Sequence, residues 1–175
     1  MRTFYSWFYC LPVFCILCLL LIVTAGYLYF QRSVKSQCFE YIGIVLLLIG
    51  YFAVILSVTL TGRSAVLAPI GPELIPFYSY YVVLKGGEQE LLRSNFMNII
   101  LFHPAGLLGY GILPKCWSQK RRVFAITAFC ALFSIGIEAC QYHFALGQAE
   151  VDDVIHNTLG AFIGALVCTI PFKKE

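Results

Sequence analysis

Long apolar runs alternate with short polar connections along this 175-residue chain. Five runs come close to the ~20 residues that a helix needs to cross a bilayer. They predict helices over residues 7–30, 41–60, 95–113, 123–143 and 154–172. The first run is longer than the roughly 7–15 apolar residues of a signal peptide, so we interpret it as a retained membrane helix. The pattern predicts an all-α integral membrane helical bundle of about five transmembrane helices, in a single domain over residues 1–175.

The longest connection, residues 61–94, differs from the other polar segments. Prolines at positions 69, 72 and 76 argue against a regular helix in that part. Residues 74–84 are rich in tyrosine and phenylalanine, which settle at the membrane–water interface. We therefore predict a segment that does not span the bilayer.

Composition supports the membrane prediction and excludes several other classes. The chain is 60% hydrophobic and 12% charged, whereas soluble domains carry about 25% charged residues. A net charge of +3 is too small to indicate nucleic-acid binding. The eight cysteines lie mostly in or beside apolar runs, and no C-x-x-C pair is flanked by histidines. We interpret them as helix-packing residues and expect no cofactor.

The distribution of basic residues predicts the orientation. Four lie on the side of the N-terminus: Arg2, Arg63, Lys85 and Arg93. Eight lie on the other side: Arg32, Lys35, Lys115, Lys120, Arg121, Arg122, Lys173 and Lys174. Because basic loops stay in the cytoplasm, we expect the N-terminus outside and the C-terminus inside a cell membrane.

Residues 135–164 carry the main candidate site. Glu138 and Gln141 share one face of the fourth predicted helix. Asp153 and Asn157 share one face of the fifth with Gly160 and Gly164. Acids beside hydrocarbon are costly, so they indicate a functional site.

The predicted orientation brings the unusual polar residues to the outer level of the bundle. The candidate ligand-binding residues are Arg63, Arg93, Asn98, Glu138, Gln141, Asp152, Asp153 and Asn157. They predict an outward-facing polar pocket, in which the two arginines are counter-charges for Glu138 and Asp153.

Structural readings stay open beside the functional ones. Asp152 suits the N-cap or first turn of the fifth helix. Asn157 suits an interhelical hydrogen bond, and the Gly160-x-x-x-Gly164 pair suits close helix packing. No two histidines have a helical pair spacing, so we expect no metal site.

Ordered motifs in residues 63–172 resemble those of the VanZ-like family. They are Leu-Ile-Pro-Phe at 74–77, Asn-Ile-Ile-Leu-Phe-His-Pro-Ala-Gly at 98–106, Glu-x-x-Gln at 138–141, and Asp-Asp-x-x-x-Asn-x-x-Gly-x-x-x-Gly at 152–164. The chain departs from the family at Gln148, where an arginine is usual. The resemblance implies a small bacterial membrane protein associated with teicoplanin resistance, acting outside the cytoplasm, without implying a reaction.

Three hypotheses for function remain. The first is a non-enzymatic envelope factor whose pocket binds a lipid-linked cell-wall precursor or the lipid tail of a lipoglycopeptide. Its other expected partners are the membrane lipids. The second is an intramembrane lipid- or precursor-modifying enzyme with Glu138 or Asp153 as general base. The third is an assembly subunit that associates through its glycine face. The first is favoured over the second because Cys140, the one nucleophile near the acids, lies about 100° around the helix from Gln141.

Overall fold

The computed structural model describes residue 26 and residues 37–60, 71–87 and 89–170, with side chains from residue 41 onward within the last three ranges. Within these ranges every regular element is a helix, which confirms the all-α fold class there. The helices are α1 (Gln37–Leu60), α2 (Tyr78–Leu84), α3 (Glu90–Ile112), α4 (Gln119–His143) and α5 (Val151–Val167). The predicted helix over residues 7–30 lies outside the described residues, apart from residue 26.

Helix α3 lies at the centre of the described bundle. It contacts the other four helices, most extensively α5. Its apolar side chains Phe102 and Leu108 are fully buried, and they share the core with Ile55 of α1 and Cys130 of α4. Tyr51 of α1 donates a 2.8 Å hydrogen bond to the Leu101 carbonyl. The core is thus mainly apolar, and this hydrogen bond joins α1 to α3 within it.

Helices α3 and α5 approach each other at glycines. A Cβ atom added at Gly164 would lie 1.9 Å from the His103 carbonyl oxygen, and one at Gly160 would lie 2.2 Å from that of Ile99. A Cβ atom added at Gly106 of α3 would lie 1.9 Å from the Ala161 carbonyl oxygen. The predicted close packing at Gly160-x-x-x-Gly164 is confirmed, and the partner is α3 of the same chain. Self-association therefore stays a prediction that needs another surface.

The helix boundaries differ from the predicted ones mainly in polar sequence. Helix α4 begins at Gln119, because the Ser118 hydroxyl accepts a 3.3 Å hydrogen bond from the Arg121 amide and caps it. The basic residues of that turn are therefore helical. Helix α3 begins at Glu90 and α5 at Val151, each earlier than predicted from hydropathy alone, and α5 ends at Val167, five residues before the predicted end at residue 172. Helix α2 was not predicted, because it follows a proline-rich stretch.

Two described helices are long and apolar enough to cross a membrane. They are Tyr41–Leu60 and Gln119–His143. Length and composition alone support this statement.

Candidate functional site

Helices α4 and α5 form an antiparallel pair joined by residues 144–150. The Asn157 amide donates a 2.9 Å hydrogen bond to the Ser134 hydroxyl. Glu138 lies one turn after Ser134, and Asp153 lies one turn before Asn157. Because the helices run in opposite directions, these two acids lie at one level on facing helices. We call the residues Ser134, Glu138, Gln141, Asp153 and Asn157 the polar seam.

The Glu138 carboxylate joins the last turns of α4 to the start of α5. It is 7% exposed, and its Oε2 accepts a 3.0 Å hydrogen bond from the Glu150 amide, the residue before α5. A carboxylate at this place satisfies one of the free amides at a helix N-terminus. Asp153 is partly buried in the first turn of α5, where negative charge is favoured by the helix dipole.

Two amide side chains give the seam unpaired acceptors. Gln141 donates a 3.0 Å hydrogen bond to the Thr59 carbonyl at the end of α1, and it is 1% exposed. The donors of Gln141 and Asn157 are thus used, while Gln141 Oε1 and Asn157 Oδ1 are buried without a hydrogen-bond partner. An unpaired buried acceptor costs ~1–3 kcal/mol. The seam is therefore suited to a group that donates hydrogen bonds.

Asp152 joins α5 to α2 instead of capping its own helix. Its Oδ1 accepts a 2.5 Å hydrogen bond from the Phe77 amide, and its Oδ2 accepts bonds from the Ser79 amide (3.0 Å) and the Ser79 hydroxyl. Phe77 is the N-cap residue of α2 and has no side-chain capping bond. The carboxylate of Asp152 thus caps α2 from another helix. Of the two structural alternatives left open by the sequence, the first-turn position of Asp152 is confirmed and the N-cap position is not, since Glu150 is the N-cap residue of α5.

This cap stabilises an unfavourable backbone conformation. Phe77 has φ 62°, in the left-handed region, which costs a non-glycine residue about 1–2 kcal/mol. A parallel bridge between Glu73 and Glu150 holds the preceding segment, with bonds of 2.8 Å and 3.0 Å to the backbone of residues 149 and 151. The aromatic segment is therefore fixed to the start of α5.

A tyrosine and a histidine complete the contact between α2 and α5. Tyr80 Oη lies 2.8 Å from His156 Nε2, and His156 Nδ1 lies 2.5 Å from the Asp152 carbonyl oxygen. A carbonyl can only accept, so Nδ1 carries a proton, and in the neutral ring Nε2 then accepts from the tyrosine hydroxyl. Ser79 also accepts a 2.7 Å bond from the Asn95 amide of α3. Sequence reasoning did not identify Ser79 and Tyr80, because the only signal was a serine within an aromatic run.

Three further predicted site residues are Asn98, Arg93 and Arg63. Asn98 is partly buried, and its Nδ2 has no hydrogen-bond partner. Arg93 forms a 3.3 Å ion pair with Glu90 of its own helix. Arg63 lies outside the described residues, so its pairing with Glu138 or Asp153 stays a prediction. Gln148, which replaces the usual family arginine, donates a 3.3 Å bond to the Gly71 carbonyl.

Among the described residues, no group of three or more His, Cys, Asp or Glu side chains could hold a metal ion.

Exchanging Asp152 is expected to release α2. In Asp152→Asn the charge is lost and one oxygen becomes a donor facing the Phe77 or Ser79 amide, so we expect a loss of about 2–3 kcal/mol, as for hydrogen bonds to charged groups. Hydrogen exchange of the amides of residues 77–84 should become faster. Ser79→Ala, which keeps both backbone bonds to Asp152, should have a smaller effect. Unchanged exchange in Asp152→Asn would contradict the capping role.

Comparisons with known proteins agree with the motifs. A family model described as VanZ/LLP1 matches residues 7–172. Protein VanZ of Enterococcus faecium is 37% identical over 78 residues, which cover 41% of this chain and 42% of that protein. The aligned region thus spans less than half the length of that relative. No solved structure matches the chain.

Proposed function

Since this chain belongs to the VanZ/LLP1 family, we propose that it is a bacterial cell-membrane protein that contributes to glycopeptide tolerance. Its polar seam opens to the exterior and binds a lipid-linked or amphiphilic ligand. The N-terminus is outside and the C-terminus is in the cytoplasm. One observation carries the proposal: Glu138 and Asp153 lie at one level on two neighbouring helices, which the Asn157–Ser134 and Glu150–Glu138 hydrogen bonds join.

The membrane placement is supported by apolar exposure as well as by helix length. Large apolar side chains on α1 and α4 are exposed, among them Leu46 (64%), Phe124 (75%) and Leu132 (69%). A soluble protein seldom exposes such continuous apolar surface. In a bilayer these side chains contact lipid tails, and their exposure carries no cost.

The aromatic segment provides a surface for the apolar part of the ligand. Phe77 and Tyr81 are 56% and 59% exposed, and Asp152 fixes their segment beside the seam. Aromatic side chains at the level of the headgroups suit contact with acyl chains. The anionic group of the ligand is assigned to Arg63 or Arg93, because guanidinium groups bind phosphate and carboxylate in two-point contacts.

Within the seam, the buried side chains divide into two roles. Gln141 and Asn157 each bind a neighbouring helix through the amide nitrogen, so they position the helices. Glu138 and Asp153 supply the negative charge. Asp152 acts on the ligand through the position of α2, because its two carboxylate oxygens accept hydrogen bonds from Phe77 and Ser79.

Expression in a glycopeptide-sensitive Gram-positive host tests the proposal. The chain should raise the inhibitory concentration of teicoplanin more than that of vancomycin, because teicoplanin carries the lipid tail. In the same cells, with Cys38 and Cys116 replaced by serine, a membrane-impermeant thiol reagent should label Gln148→Cys and not Ser118→Cys. Unchanged susceptibility would contradict the function, and the opposite labelling would contradict the orientation.

A further inference from the structure

A cavity of about 470 Å³ lies between the N-terminal half of α4 and the C-terminal end of α5. It is lined by Gln119, Lys120, Val123, Phe124, Thr127, Phe162, Leu166 and Thr169. Lys120 and Glu138 are 18 residues apart on α4 (138 − 120), which at 1.5 Å per residue is about 27 Å. The cavity is therefore at the opposite end of the helix pair from the polar seam.

The lining of this cavity is divided into an apolar wall and a polar end. Val123, Phe124, Phe162 and Leu166 form the wall together with one small polar residue, Thr127, and Phe124 is 75% exposed. Gln119, Lys120 and Thr169 come from the first turn of α4 and from just after the end of α5, so they lie together at one end. The size is within the roughly 300–1,000 Å³ of typical ligand pockets.

Of the basic side chains in the first turn of α4, Lys120 lines the cavity. Arg121 lies over the Trp117 ring at 4.0 Å. Arg122 lies over the Tyr110 ring at 3.8 Å and donates a 2.6 Å hydrogen bond to the Tyr110 carbonyl. Both arginines are thus engaged by their own chain. In the described part of the chain Lys120 forms no ion pair, so its charge is available to a ligand.

We propose that this cavity binds an anionic phospholipid, with its phosphate against Lys120 and Gln119 and one acyl chain along Phe124, Phe162 and Leu166. A positive side chain at one end of an apolar groove is complementary to a negative headgroup on an acyl chain. In the proposed orientation this end faces the cytoplasm, where anionic lipids attract basic side chains. The inference rests on the proposed membrane placement and is independent of glycopeptide tolerance.

Native mass spectrometry of the full chain in detergent tests the proposal. Phosphatidylglycerol and phosphatidylcholine with identical acyl chains would be added separately, and bound lipid would be counted. The wild type should retain phosphatidylglycerol preferentially. Lys120→Gln should weaken that retention about fivefold, the factor corresponding to ~1 kcal/mol per basic side chain near a membrane surface. Leu166→Trp should fill the cavity and reduce retention of both lipids.

Two matched variants separate this site from general effects. Lys115→Gln removes an exposed charge from the connection that precedes α4, outside the cavity lining. Leu159→Trp enlarges a 41% exposed leucine of α5 that is also outside the lining. Both should bind lipid as the wild type does. Equal losses in Lys115→Gln and Lys120→Gln would show a general basic surface and overturn the site. Equal retention of the two lipids, or a dimer whose formation excludes lipid, would also overturn it. The tolerance assay does not depend on any of these results.

Discussion

The double exchange Glu138→Gln and Asp153→Asn is expected to reduce teicoplanin tolerance to the level of a host without the protein. Both substitutions nearly keep the size of the side chain and leave one acceptor oxygen, while the charge is lost and the other oxygen becomes an NH2 donor. The amide oxygen introduced by Glu138→Gln could still accept the 3.0 Å bond from the Glu150 amide. Loss of the first-turn acid of α5 costs about 0.3–1 kcal/mol, too little to unfold a stable bundle. The expected loss of tolerance is therefore a loss of function.

Membrane insertion must be measured in the same cells by fractionation, since an absent protein would also abolish tolerance. Lys115→Gln is the charge control, because Lys115 is exposed and precedes α4, at the end of the helix pair opposite the polar seam. It should keep the tolerance of the wild type. A double variant that is inserted normally and still confers tolerance would reject the assignment of Glu138 and Asp153 to ligand binding.

The helical fold was predictable because the hydropathy of each run is a local property. The runs over 41–60, 95–113 and 123–143 each lie within α1, α3 and α4, apart from Leu113. Errors occur where polar residues are helical, as in the first turn of α4. The Ser118 side chain caps the helix there and sets its first residue, and a hydropathy pattern contains no information about such a cap.

Part of the polar seam was also predictable, because helical periodicity places Glu138 on the same helix face as Gln141, and Asp153 on the same face as Asn157. The connection through Asn157 and Ser134 fits the interhelical hydrogen bond considered from sequence. The partners of Gln141 and Asp152 were not predictable. They lie 82 and 73–75 residues away, and no local pattern indicates such pairs.

Helix α2 shows why the structure of the aromatic segment could not be predicted from its own sequence. Nothing in its seven residues supplies a cap, and Phe77 adopts a left-handed conformation that its sequence does not favour. The helix exists because Asp152 of α5 accepts its first amides. Tertiary contacts therefore determine the position of the aromatic surface next to the seam, and the sequence alone indicated only its composition.

Exchange of Gly164 for alanine is expected to have the largest effect on stability. The new Cβ would lie 1.9 Å from the His103 carbonyl oxygen and 3.0 Å from the Leu107 amide nitrogen. Both are backbone atoms, so no side chain can move aside, and α3 and α5 must separate. Overpacking costs typically ~1–3 kcal/mol, and we expect about 3 kcal/mol here. Unfolding of the purified protein in mixed detergent micelles, followed by circular dichroism, would measure it.

Gly136→Ala is the matched control for this exchange. Gly136 lies in α4 with no atom within 4 Å of an added Cβ, so only the helix propensity changes. Alanine there should stabilise the helix by about 0.5–1 kcal/mol. Opposite signs for the two substitutions would show that the close approach of α3 and α5, and not glycine itself, requires residue 164 to lack a side chain. Equal stability of the two variants would mean that α3 and α5 can separate at Gly164 at little cost, and would contradict this explanation.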